Sequence, residues 1–196
     1  MTALLKNWTQ VEKINLKARR KFLVNSGAVG LSAAAVALIG GNDALATSNK
    51  ASESSDVTIL NTALGAEREA IAAYQLGAES GLLSSGILSV AVSFQGHHKE
   101  HADVLAQTIE KLGGKVNEPP ETYNFPTSGL KQERNVLEFA ASLEKGAVSA
   151  YLGAVPLFDN RDLAAAAASI LGDEAMHWAV LRQALGLNPV PSAFVS

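Results

Sequence analysis

The 196-residue chain is long enough for one domain and has no cysteine, which excludes disulfides, zinc–thiolate sites and thiol catalysis. Its charge is uneven: residues 1–46 carry six Lys/Arg and two acids, and the remainder carries ten Lys/Arg against seventeen Asp/Glu. An acidic body lacks the basic face that neutralises phosphates, so nucleic acid is excluded as a partner.

Residues 1–46 read as an export signal. A basic stretch ends in Arg19, Arg20, Lys21, Phe22 and Leu23, and a mildly apolar run follows over 24–39. Ala44, Leu45 and Ala46 then supply an A-x-A cleavage site, placing the mature start near Thr47. The paired arginines resemble the twin-arginine signal, which implies the twin-arginine export machinery as a partner and a periplasmic location. A membrane anchor is the alternative, but the run is short and rich in Gly and Ser. Residues 47–55 are Ser-rich and polar, and are predicted to be a flexible linker.

From residue 56 to 186 the pattern is helical, and an all-α fold is expected. The predicted helices cover 56–79, 85–112, 131–155 and 161–186, the last capped by Asn160 and stopped by Gly186. Between the second and third lie Pro119, Pro120 and Pro126, so that connection is long and irregular. Residues 187–196 form a tail. Two short-linked helix pairs joined by one long crossover are a four-helix-bundle arrangement.

The chain repeats itself, and the repeat carries the acids. The inward stripe of the first helix is Leu60, Leu64, Glu67, Ile71 and Tyr74; 77 residues later it is Leu137, Ala141, Glu144, Val148 and Tyr151. The second and fourth helices match at an offset of 76, with Ala91, Phe94, His98, His101 and Leu105 against Ala167, Ile170, Glu174, His177 and Leu181. Gly96 and Gly172 also correspond; a mid-helix Gly costs about 1 kcal/mol relative to Ala, so the pair predicts a need for space or a local bulge. Stacking the helices puts Glu67, His98, His101, Glu144, Glu174 and His177 in one buried layer. Left unpaired there, three carboxylates and three imidazoles are costly, and a pair of divalent ions resolves the cost. The i, i+3 spacing of Glu174 and His177 lets one helix face present both groups to one ion. A buried ion-pair layer without metal is the bland alternative.

This layout resembles the ferritin-like di-iron carboxylate family, in which two helices each give a Glu and two give a Glu-x-x-His pair. Over residues 55–186 the chain looks most like exported bacterial ferritin-like domain proteins, a group that includes desiccation-related members. Glu67 and Glu144 match the single-Glu positions, and the run Asp173, Glu174, Ala175, Met176, His177 matches D-E-x-x-H. The resemblance implies that Asp173 orients His101. Helix two departs from the family, with His98 where a Glu is usual. Glu100 is no substitute, lying about 200° round the helix from His98. One carboxylate is therefore missing, leaving −3 against the +4 of two divalent ions. An added anion or a weakened metal position would answer that deficit.

Behind the ligands, Asp173 and His97 are expected to hydrogen-bond them, with an extra ligand as the alternative for His97. Tyr74 and Tyr151 are expected to hydrogen-bond ligands or, as the resemblance to rubrerythrin-like relatives implies, to carry redox equivalents, although a core ring with a satisfied hydroxyl is the plainer reading. Trp178 is expected to pack. The function implied is that of an exported di-iron (or iron–manganese) oxidoreductase acting on dioxygen, peroxide or ferrous ion in stress protection. The alternative is a non-enzymatic metal-binding or structural stress bundle. A homo-oligomer is compatible with either, but nothing in the sequence specifies a storage shell.

Overall fold

The computed structural model describes residues 49–195, with side chains from residue 55. The predicted signal peptide lies outside the described residues. The fold is an all-α four-helix bundle of α1 (Asn49–Glu79), α2 (Ser85–Lys111), α3 (Glu133–Ala154) and α4 (Arg161–Ala184). The long crossover between α2 and α3 is irregular except for a 3-10 turn at Thr127–Gly129. No described helix is long and apolar enough to cross a membrane.

Each end of an element has a local cause. α2 stops where Gly113 takes a left-handed conformation, φ 73°, and Gly114 N–H returns to the Ile109 carbonyl at 2.9 Å. α3 gives way to a 3-10 turn at Val155–Leu157, because Pro156 has no N–H to continue the ladder. α4 begins at Asn160, whose side chain accepts from the Asp162 and Leu163 N–H groups, and ends at Gly186, φ 75°. α1 corrects the sequence reading: it starts at Asn49, so most of the predicted linker is helical. Lys50, Ala51 and Glu53 are good helix formers, and lengthening an existing helix avoids the cost of a new nucleus.

Two buried polar groups of α1 tie the connections down. The Asp56 carboxylate accepts from the Asp159 and Asn160 N–H groups, both at 3.0 Å. Asn61 donates to the Lys115 carbonyl and accepts from Asn117 N–H, which pins the crossover along α1. Beneath it Gly114 packs so closely that an added Cβ would stand 2.6 Å from Val57 Cγ1.

The apolar core is divided. One cluster contains Leu60, Leu64, Leu105, Ile109, Tyr151 and Ile170. The other contains Tyr74, Phe94, Leu137, Ala141 and Leu181, with Trp178 packed against it and Arg182 stacked over the Trp178 ring. The first cluster takes the N-terminal half of α1 and the C-terminal end of α3, the second the reverse, so these helices run antiparallel. Between the clusters every helix contributes a polar residue.

Candidate metal centre

All six predicted ligands meet in that intervening layer. Glu67, His98, Glu144, Glu174 and His177 are each at most 2% exposed, and His101 reaches them from a half-buried position. They form two overlapping groups. In the first, His98 Nδ1 lies 2.8 Å from Glu67 Oε2 and 3.6 Å from Glu174 Oε1. His101 Nδ1 completes it, at 3.2 Å from Glu174 Oε1 and 3.5 Å from Glu67 Oε2. In the second, Glu144 Oε1 lies 3.3 Å from His98 Nε2 and 3.6 Å from His177 Nδ1. His177 Nδ1 is also 3.6 Å from Glu174 Oε2. Each group offers four ligand atoms close enough to hold one ion.

The donor set fits a metal on two grounds. With metal–ligand bonds of about 2.0–2.2 Å, neighbouring ligand atoms stand roughly 3.0 Å apart in an octahedron and 3.4 Å in a tetrahedron, and the observed separations fall around those values. Several atoms of the layer are also buried with no hydrogen-bond partner: His101 Nδ1, Glu144 Oε2, both oxygens of Glu174 and His177 Nδ1. Buried polar atoms are normally paired, and five orphans converging on one place are what a cation would satisfy.

Without an ion, protons do part of that work. Burial disfavours charge on His98, but hydrogen bonds to Glu144 and Glu67 outweigh it and lift the imidazole to about 11. His101 and His177 are raised to about 9 against the same burial, the first by Glu174 and Glu67, the second by Glu144 and Glu174. Burial pushes the Glu144 carboxyl up, yet His177 and His98 hold it below its ordinary value.

The two tyrosines pair crosswise. Tyr74 of α1 donates its hydroxyl to Glu144 of α3, and Tyr151 of α3 donates to Glu67 of α1 at 2.5 Å. Burial, then the adjacent carboxylate, raises both phenols well above their usual value, so both stay donors. Satisfied core hydroxyls and ligand-orienting groups are here the same thing. On the open side, Asp173 Oδ2 lies 3.0 Å from His97 Nδ1, 3.2 Å from His177 Nε2 and 3.5 Å from His101 Nε2. The expected partner His101 is thus the most distant of the three. His97 Nδ1 also stands 3.0 Å from His177 Nε2, and Phe94 stacks on the His177 ring at 4.0 Å.

The matched glycines correct a second expectation. α2 and α4 run through Gly96 and Gly172 without a bulge, and a Cβ at either would meet nothing within 4 Å. Neither serves close packing.

The ferritin-like domain family matches residues 55–187. The chain belongs to that family. The ferritin-like bundle also aligns with solved structures that share little sequence. A conserved hypothetical protein, rv2844, from Mycobacterium tuberculosis is 20% identical, covers 73% of this chain and 99% of its own, and gives a TM-score of 0.63. A ferritin-like, diiron-carboxylate protein from Bacillus anthracis str. Ames is 23% identical over 71% of this chain and 99% of its own, with a TM-score of 0.58. No curated protein matches the chain.

Proposed function

We propose that this ferritin-like protein is an exported two-metal oxidoreductase acting on dioxygen, peroxide or ferrous ion in stress protection. The observation that carries the reading is the convergence of buried ligands from four helices on two overlapping positions, with five of their atoms, on three of the helices, left without a hydrogen-bond partner. Carboxylate and imidazole ligands suit iron and manganese, and the diiron-carboxylate neighbour favours iron. Bound ions would supply electron exchange with the oxidant.

The chain's own residues supply the rest. Glu67, Glu144 and Glu174 carry the balancing charge, and the Tyr151 and Tyr74 hydroxyls fix the orientation of Glu67 and Glu144. The apolar clusters on either side keep bulk water from the layer. A cavity of about 20 Å³ between α1 and α3 reaches Glu67, His98 and Glu144 past Ala66, Ala70 and Ala147. It has room for about one water-sized molecule and none for a large organic substrate. Export rests on Arg19, Arg20 and the A-x-A site at Ala46.

The test is turnover of hydrogen peroxide, and of ferrous ion with dioxygen, by protein of known metal content. Turnover that disappears with the metal supports the oxidoreductase. Two bound ions without turnover of any of these would replace it with a metal-holding stress bundle.

A further inference from the structure

His98 is the residue that departs from the family pattern, and its ring nitrogens face different halves of the site. Nδ1 lies against Glu67 Oε2 at 2.8 Å, among the ligand atoms of the first group. Nε2 lies 3.3 Å from Glu144 Oε1, among those of the second. Glu174 spans the halves in the same way, with Oε1 3.2 Å from His101 Nδ1 and Oε2 3.6 Å from His177 Nδ1. The ring cannot readily turn out of this position: it is 1% exposed and packs against the Tyr74 ring at a centroid distance of 5.3 Å.

We propose that His98 joins the two metal ions as a bridging imidazolate, through Nδ1 to the ion shared with Glu67 and His101 and through Nε2 to the ion shared with Glu144 and His177. This rests on the two-metal reading above and states how the ions are joined. A neutral imidazole has a lone pair on one nitrogen and a proton on the other, so as a terminal ligand it would point an N–H at the second cation. Loss of that proton removes the conflict. Two N–metal bonds replace the ring's bonds to hydrogen, the protons pass to solvent, and nothing is oxidised or reduced.

The charge then balances. Three carboxylates and one imidazolate give −4 against the +4 of two divalent ions, so the missing carboxylate needs no added anion. The geometry changes as well. The nitrogens diverge across the ring, which places the ions farther apart than the roughly 3.5–4 Å usual in two-metal sites.

The full-length chain, labelled with ¹⁵N-histidine and loaded with ¹¹³Cd²⁺, tests this by NMR, with ring signals assigned through bonds to the labelled backbone. The expected result is one-bond ¹⁵N–¹¹³Cd splitting at both His98 nitrogens, and at one nitrogen each of His101 and His177. Splitting at a single His98 nitrogen, with a proton on the other and the other two rings still split, would overturn the bridge and leave the two-metal reading standing. No splitting at any of the three rings would overturn both. A second readout is the metal–metal distance in iron-loaded His98→Glu, measured by X-ray absorption. It should shorten to about 3.5–4 Å with two ions still bound, and an unchanged distance argues against the bridge.

Discussion

Replacing Tyr151 by Phe isolates one hydrogen bond of the layer. The ring is 4% exposed and packs in the cluster with Leu60, Leu64 and Ile170, and Phe keeps all of that burial. What disappears is the hydroxyl, whose oxygen lies 2.5 Å from Glu67 Oε1 and donates its proton to it. Hydrogen bonds to charged groups are short and are worth about 1.5–3 kcal/mol by mutation, a figure that already includes the hydroxyl's own desolvation. Without the donor, Oε1 joins the other partnerless carboxylate oxygens of the layer, so the upper half of that range applies. Urea unfolding of the metal-free variant should therefore show a loss of about 2–3 kcal/mol with an unchanged m-value. Metal affinity should fall by about 10–100-fold, as it does when groups that orient ligands are removed. Tyr74→Phe should behave alike through Glu144. A stability loss below about 0.5 kcal/mol together with unchanged affinity would refute the crosswise pairing.

Other perturbations bear on different parts of the molecule. In metal-free protein His98 is raised from 6.5 to about 11, and His101 and His177 to about 9. The folded state thus holds extra protons: their stabilisation is complete below pH 6.5 and is lost as pH rises through 9 and then 11, so urea midpoints should fall across that window. Gly114→Ala drives a Cβ to 2.6 Å from Val57 and should cost about 1–3 kcal/mol in thermal or urea unfolding. Gly172→Ala, which meets nothing within 4 Å, should instead stabilise by about 1 kcal/mol. Changing Arg19 and Arg20 together to Lys should leave precursor in the cytoplasm, as fractionation and blotting would reveal; normal export of the double variant would remove the twin-arginine assignment.

The polar layer was legible because its residues interrupt apolar stripes at helical spacing, and because Glu67 and Glu144 occupy matched places in a repeat. Partner choice was not legible. Each tyrosine stands seven residues, about 10.5 Å of rise, beyond the Glu on its own helix, which suggests a partner there. Long helical side chains lean back toward the N-terminus, so each phenol returns to the layer and meets the opposite Glu across the antiparallel pair. The double orientation of His98 was equally hidden, since spacing sets which face a ring leaves from and not where its two nitrogens point. The start of α1 was missed because a Ser-rich composition contains no residue that forbids a helix. The glycine pair misled because a helix position with open space beside it tolerates glycine without needing it.

Metal per chain, counted by elemental analysis of protein purified from its native source and of its Glu67→Ala and Glu144→Ala variants, bears most directly on the two-metal site. The account predicts two ions per chain, and a fall in both variants although the substitutions lie 77 residues apart. Folded wild-type protein without metal, or both variants retaining the full count, would contradict it.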